Sequence, residues 1–176
     1  MALRLFSTLL VAFAASNPLD DEISEQNTDM LVRAVGVMDD NVALFSSIDD
    51  PREKCLTCSR TVYEPEKKFA VFLFRYQGQN GERGADISYC VNLTATDSLK
   101  FGFSPCEDGA VTGSCQGYYF DGESCFLALF PTSGKDHCLL WVKQEFKDSV
   151  PEECVTQFDK NCGPERYTLY DEGQCS

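Results

Sequence analysis

The chain has 176 residues, and its 28 acidic and 15 basic side chains give a formal net charge of −13 at pH 7. So acidic a protein repels nucleic-acid phosphates and anionic lipid headgroups, which excludes nucleic acid as a partner and argues against a membrane partner. The length allows one domain with a substantial core. We expect this domain to act as a monomer.

Residues 1–16 are predicted to be a secretory signal peptide. Arg4 supplies the positive start, Leu5 to Ala15 is apolar, and small residues up to Ser16 fit a cleavage site. The apolar run is too short to span a bilayer. We therefore expect a secreted, extracellular protein whose residues 17–176 form one domain.

After the signal, the chain is predicted to form a short helix, eight strands, a second helix and a last strand. The polar residues up to Gln26 are expected to be loose, and a helix over 30–37 is expected to be capped by Asn27 or Thr28. The strands are predicted at 41–48, 56–63, 68–76, 85–94, 99–103, 116–120, 124–130 and 138–143, with a helix over 151–161 and a last strand over 166–170. So many consecutive short strands favour an antiparallel meander over alternating βαβ units.

Polar residues indicate which face of each strand points into the protein, because successive side chains alternate between the two faces. The residues expected to face water are Arg75, Asn92, Lys100, Asp121 and Lys143. The inward set is then Phe72, Phe74, Tyr76, Tyr89, Val91, Phe101, Phe103, Tyr118, Phe120 and Leu140. Trp141 is expected on the outer face, under the C-terminal helix. The pattern leaves open whether this aromatic interior is a packed core or a cavity.

Asn92-Leu93-Thr94 matches the acceptor sequon for N-glycosylation. The expected secretion would expose this sequon to glycosylation. We therefore predict a glycan on Asn92, which must point away from the interior of the protein.

Ten cysteines, an even number in an oxidising compartment, predict up to five disulfides and no free thiol. Cys55 and Cys58 have the spacing of a zinc or redox pair, but a zinc site needs a second pair or two histidines. His137 is the only histidine, so no metal and no cofactor are expected. Ser133, Asp136 and His137 have the residue types of a hydrolytic triad but lie in a turn without a nucleophile elbow. We expect no catalytic residues and no enzymatic activity.

The C-terminal part of the chain carries four motifs in a fixed order. They are Cys138-Leu-Leu-Trp-Val, Pro151-Glu-Glu-Cys154, Asn161-Cys162-Gly163 and Arg166-Tyr-Thr-Leu-Tyr170 followed by Cys175. Over residues 124–176 this order resembles the salivary lipocalins of ticks, and elsewhere the likeness is architectural. The resemblance implies a mostly β fold: a disulfide-stapled, eight-stranded antiparallel lipocalin barrel that can hold one small ligand, with a short N-terminal helix and a C-terminal helix packed outside.

The same resemblance implies a set of disulfides. It pairs Cys125 with Cys154, one of Cys55 or Cys58 with Cys175, and Cys138 with Cys162. Cys106 could then pair with Cys115, and Cys90 with the remaining member of Cys55 and Cys58.

The resemblance also implies a ligand-binding function directed at the host. Amine-binding members carry acidic residues at the positions of Phe126 and Leu139, and burying a cation without a carboxylate is costly. We therefore expect an apolar ligand (lipid, sterol or eicosanoid), contacted by Phe126 among others, and suppression of host inflammation or immunity. The alternatives are an immunomodulator whose surface binds a host immune protein or cell, a biogenic-amine scavenger, and a disulfide-rich protease inhibitor.

Overall fold

A computed structural model describes residues 18–78, 83–108, 113–132 and 134–175. The predicted signal peptide and Ser133 lie outside the described residues. The helices are α1 (Pro18–Val37) and α2 (Glu152–Cys162). The strands are β1 (Asp40–Ser46), β2 (Thr57–Glu64), β3 (Phe69–Arg75), β4 (Ile87–Asn92), β5 (Lys100–Pro105), β6 (Ser114–Phe120), β7 (Cys125–Phe130), β8 (His137–Lys143) and β9 (Tyr167–Thr168).

The strands form a closed antiparallel barrel. Strands β2 to β8 pair in chain order, and β1 closes the sheet by pairing with both β8 and β2. The short β9 pairs with β1 only. In the pairing of β1 with β8, the register shifts between Ala43 and Phe45. The predicted eight-stranded barrel with two helices is confirmed. Within the described part of the chain, neither helix is long and apolar enough to cross a membrane.

Helix α1 begins twelve residues earlier than predicted, at Pro18 rather than at residue 30. Pro18 suits a first helical turn because its fixed φ is already helical, and Asp20 and Asp21 complement the positive end of the helix. The prediction of a loose segment was wrong because a polar, solvent-exposed stretch can still be helical. The buried side of α1 is confined to its second half, where Leu31 and Ala34 are almost fully covered.

Two apolar clusters lie on opposite sides of the sheet. The inner cluster fills the barrel and includes Phe74, Phe103 and Trp141. The outer cluster lies between the sheet and α2, where Phe158 of the helix packs with Leu140 of β8. All residues of β8 from His137 to Val142 are buried, so this strand has no wet face.

This two-sided burial explains why the predicted orientation of β8 was wrong. Leu140 belongs to the outer cluster under α2, whereas Trp141 points into the barrel. The prediction was based on Lys143, which lies at the last position of β8 and reaches Glu145 at 2.6 Å. A charged side chain at the end of a strand can reach solvent from either face. Lys143 therefore did not indicate which face the buried residues before it point to.

A register shift between Gly117 and Tyr119 in β6 overturns a second prediction. Tyr118 was expected inside the barrel, but it is 37% exposed. Phe120, beyond the shift, packs against the inner cluster as predicted. The extra residue in the strand reverses the alternation locally, which sequence periodicity does not reveal.

The structure contains four disulfides. They are Cys55–Cys175, Cys90–Cys106, Cys125–Cys154 and Cys138–Cys162. Three predicted bridges are therefore confirmed. Two of them join α2 to β7 and β8, and the third joins the segment before β2 to the C-terminal tail. They fasten α2 and the tail to the barrel.

The remaining two predicted pairings, and the expectation of no free thiol, were wrong. Cys58 and Cys115 are buried free cysteines. Cys58 lines the interior cavity, and Cys115 lies opposite Phe101 in the inner cluster. Cys90 lies two residues before the exposed Asn92, so both side chains are on the outer face of β4. Cys90 points out of the barrel, so it cannot reach Cys58 and bonds to Cys106 instead.

We expect thiol titration to find two reactive groups per chain in denaturant without reductant, and almost none in the native protein. Burial raises the pKa of Cys58 to about 12 and that of Cys115 well above its usual value. The thiolate is the reactive form, so both groups are inert while the barrel is folded. Fewer than two thiols after denaturation would mean that these cysteines also form a disulfide.

Candidate ligand-binding site

The barrel contains an apolar cavity of about 60 Å³. Helix α1 and seven of the strands contribute its wall. The lining residues are Leu31, Ala34, Val35, Met38, Asn41, Cys58, Phe72, Phe74, Val91, Phe101, Phe103, Phe126, Phe130 and Trp141. Leu31, Ala34 and Val35 of α1, together with Met38 directly after the helix, have the i, i+3, i+4, i+7 spacing of one helix face.

Aromatic rings fill most of the barrel next to this cavity. Tyr89 stacks on Phe103 with ring centroids 4.5 Å apart, and Phe74 meets Tyr89 at 4.6 Å and Trp141 at 5.0 Å. Phe130 meets Phe103 edge to face at 5.2 Å. The interior is therefore a packed aromatic core with a small void. Pockets that enclose a small organic ligand usually measure roughly 300–1,000 Å³, so a ligand must displace rings or α1.

Helix α1 lies across one end of the barrel, where its apolar face packs on the inner cluster and several hydrogen bonds hold it. The Tyr63 hydroxyl donates to the carbonyl of Val32 at 2.9 Å, and the Arg60 guanidinium donates to the carbonyl of Val35. Val35 lies in the last turn, where helical carbonyls lack partners within the helix. Asn27 donates to two carbonyls of the loop between β4 and β5, at 2.9 and 2.8 Å. These contacts fasten α1 to β2 and to the β4–β5 loop at the same end of the barrel.

The structure brings together most of the residues predicted to contact a ligand. Six of them line the cavity: Phe72, Phe74, Val91, Phe101, Phe103 and Phe126. Tyr76, Tyr89 and Phe120 belong to or pack against the inner cluster without lining the void. Tyr118 and Leu140 lie elsewhere, as described above.

Sequence reasoning missed eight lining residues. They are Leu31, Ala34, Val35, Met38, Asn41, Cys58, Phe130 and Trp141. The apolar spacing of Leu31, Ala34, Val35 and Met38 was visible in the sequence, but their position over the barrel was not. Asn41 and Cys58 face each other across the β1–β2 pairing that closes the barrel, and no local pattern predicts that contact.

Within the described residues, the cavity lining contains no acidic and no basic side chain. Phe126 is half-buried in the lining, and Leu139 is fully buried in the inner cluster. The polar groups of the lining include the amide of Asn41 and the thiol of Cys58. Burial keeps that thiol protonated, although the hydrogen bond from Asn41 opposes the rise of its pKa. The cavity therefore offers no countercharge to an ionised ligand.

A buried polar cluster lies at the other end of the barrel from α1. The Glu53 carboxylate contacts His137 Nε2 at 2.9 Å and accepts a hydrogen bond from the Thr132 hydroxyl at 3.2 Å. His137 Nδ1 lies 3.0 Å from the carbonyl of Lys135. Burial favours the neutral imidazole, but the bonds to Glu53 and Lys135 outweigh it and raise the pKa of His137. The cluster ties the β1–β2 loop to β8.

Among the described residues, one group of side chains has the spacing of a metal site: Asp121, Cys125 and Cys154. The two sulfurs form a disulfide, so they supply no thiolate ligand. Burial opposes ionisation of Asp121, yet hydrogen bonds from Ser124 and from backbone N–H groups lower its pKa. These bonds close the turn before β7, which gives the carboxylate a structural role.

A closed eight-stranded antiparallel barrel, with a helix over one end and an apolar void inside, defines a lipocalin-type binding protein. Residues 45–176 match the model of a family described as tick histamine binding protein. This match covers most of the chain, and the protein belongs to that family. No curated protein sequence matches the chain significantly.

Solved structures that share the fold include the following three. AM182, in a serotonin complex, is 16% identical with a TM-score of 0.59, and the match covers 80% of this chain and 89% of that one. Japanin from Rhipicephalus appendiculatus, bound to cholesterol, is 12% identical with a TM-score of 0.57 and coverages of 77% and 95%. Lobster apocrustacyanin A1 is 10% identical with a TM-score of 0.53 and coverages of 92% and 91%.

Proposed function

We propose that the protein is a secreted lipocalin that takes up a small apolar ligand (lipid, sterol or eicosanoid) and so suppresses host inflammation or immunity. The observation that carries the proposal is the lining of the cavity, which has no acidic or basic side chain among the described residues. A protonated amine would lose its hydration there without gaining a countercharge. An apolar ligand gains by leaving water. The site suits the binding of an apolar molecule.

The two tick-type neighbours show that this fold holds both kinds of ligand, since one carries serotonin and the other cholesterol. Phe126 and Leu139 stand where the amine-binding relatives are expected to carry acids. In this chain those positions add apolar surface to the interior. The lining therefore favours a ligand of the cholesterol kind over an amine.

We propose that the ligand enters beneath α1. The void of about 60 Å³ is too small for a sterol, and α1 with Met38 directly after it supplies four of the lining residues. The helix is held by its short apolar face and by a few hydrogen bonds to β2 and the β4–β5 loop, whereas continuous strand pairing closes the barrel wall. Moving the helix therefore disturbs less of the fold than opening the wall.

We also propose secretion and glycosylation. The four disulfides fit an oxidising compartment. Asn92 ends β4 with an exposed side chain, whose Oδ1 accepts a hydrogen bond from the backbone of Thr94 at 2.9 Å. A glycan at this position would extend into solvent without touching the cavity.

We expect cholesterol to change the emission of Trp141 with one-to-one stoichiometry, and histamine and serotonin to leave it unchanged. Trp141 is the only tryptophan of the chain and lines the cavity, so fluorescence reports the site directly. Replacing Phe126 by Glu should weaken cholesterol binding at least about tenfold, since a half-buried carboxylate must lose water as the ligand packs against it. The control, Phe126→Leu, should change the affinity far less. Unchanged affinity in Phe126→Glu would place the ligand outside the barrel.

A further inference from the structure

The cavity wall contains one buried amide with an unsatisfied acceptor. Asn41 is 2% exposed and lines the void. Its Nδ2 donates to the carbonyl of Met38 at 3.1 Å and contacts Cys58 Sγ at 3.6 Å. Its Oδ1 is buried and has no hydrogen-bond partner among the described residues. Buried polar atoms are nearly always paired, so an orphan acceptor in a cavity wall indicates a missing donor.

The contact with Met38 fixes which atom of the amide is the orphan. If the amide were turned over, Oδ1 would face the carbonyl oxygen of Met38, and two acceptors would meet. The amide nitrogen therefore points to Met38, at the end of α1, and the oxygen remains the acceptor. Asn41 is held between the end of α1 and Cys58 of β2, so its oxygen has a defined position in the wall.

We propose that Asn41 Oδ1 accepts a hydrogen bond from a hydroxyl of the ligand, so that the site selects an apolar molecule with a hydroxyl group. This inference rests on the proposed function and narrows it. An alcohol donates a hydrogen bond to Oδ1 while its hydrocarbon body packs on the rings. An ionised carboxylate offers only acceptors, and no basic side chain of the described lining could compensate its charge.

The site should therefore prefer an alcohol to an otherwise similar ether. If a water molecule donates a hydrogen bond to Oδ1 in the free protein, a ligand hydroxyl can displace this water and donate the same bond. An ether has no hydrogen to donate, so it would leave Oδ1 without a partner. The ether carries a methyl group in place of the hydroxyl hydrogen, and burial of this methyl group favours the ether. Simple hydrophobic uptake would therefore bind the ether at least as tightly as the alcohol, which separates it from this proposal.

The test compares 1-hexadecanol, hexadecyl methyl ether and palmitate near neutral pH on the intact protein, using the emission of Trp141. We expect the alcohol to bind about tenfold more tightly than the ether, the worth of one buried hydrogen bond, and palmitate to bind more weakly than the alcohol by at least as much. Equal binding of alcohol and ether, or tighter binding of palmitate, would overturn the assignment of Asn41. Binding of none of the three would overturn the proposed function itself.

Variants locate the effect. In Asn41→Leu, which keeps the branching and the number of side-chain heavy atoms but has no polar atom, the preference for the alcohol should fall below about twofold. In Phe126→Leu, which changes the lining without touching the amide, alcohol and ether affinities should shift together and keep the tenfold ratio. A preference that survives in Asn41→Leu would assign the hydroxyl to another group. The comparison on the unmodified protein decides the question even if Asn41→Leu does not fold.

Discussion

Replacing His137 by leucine is expected to lower the free energy of unfolding by about 3–5 kcal/mol. His137 and Glu53 are both fully buried, and the replacement removes the imidazole that Glu53 contacts at 2.9 Å. Deleting one partner of a buried ion pair leaves a charge in the interior with inadequate compensation, which is the costly case for such pairs. Urea unfolding at about pH 6 measures the change.

The control is the pair of Lys143 and Glu145, 2.6 Å apart at the surface, where the Glu145 carboxylate is exposed. Lys143→Met should cost no more than about 1 kcal/mol because water screens the contact. The double variant His137→Leu, Glu53→Leu should recover most of the lost stability, since no buried charge remains. If His137→Leu alone lowers the free energy of unfolding by less than about 1 kcal/mol, the imidazole is not needed to stabilise the buried Glu53 carboxylate.

The pH dependence of unfolding gives a second readout. The folded protein raises the pKa of His137, because its hydrogen bonds to Glu53 and Lys135 outweigh the opposing effect of burial. A raised histidine pKa stabilises the fold fully below the ordinary value of about 6.5, and this contribution is lost as the pH rises through the higher folded value. The unmodified protein should therefore lose stability over that window. In His137→Leu this part of the slope should disappear.

The strand orientations that sequence reasoning predicted correctly belong to strands with one wet face. Arg75, Asn92 and Lys100 each mark the solvent side of β3, β4 or β5, and the alternate residues indeed form the inner cluster. Alternation is informative there because water contacts only one face. The same reasoning failed for β8, whose two faces are both buried, and for β6, whose register shifts after Gly117.

The features that sequence reasoning missed depend on contacts between distant residues. Asn41 and Cys58 meet because β1 and β2 close the barrel, and α1 lines the cavity because it folds back over the barrel end. Cys58 faces the interior and Cys90 faces out, so the predicted pair of Cys90 with Cys58 does not form. Such contacts follow from the closed topology rather than from any local spacing. The likeness to a known family predicted the barrel, but it did not predict the unpaired Oδ1 of Asn41 in the barrel wall.

The C-terminal tail is fastened to the barrel by a disulfide and by several hydrogen bonds. Cys175 bonds to Cys55, 120 residues earlier. The backbone N–H of Cys55 donates to Leu169 at 2.8 Å, and Leu169 donates to Leu44 at 2.9 Å. Lys54 Nζ reaches the carbonyl of Thr168 at 2.6 Å. The bridge thus holds together elements from both ends of the barrel sequence.

Replacing Cys55 and Cys175 together by alanine is expected to cost about 5 kcal/mol, because the bridge removes the entropy of a very long loop from the unfolded chain. The matched control removes Cys90 and Cys106, only 16 residues apart, and should cost about 3 kcal/mol. Guanidinium unfolding of the two double variants measures the difference. The contrary result would be a larger loss of stability on removing the short bridge than on removing the long one. Native contacts around each disulfide would then determine its contribution, and the docking of the tail would not depend on the constraint that Cys175 imposes.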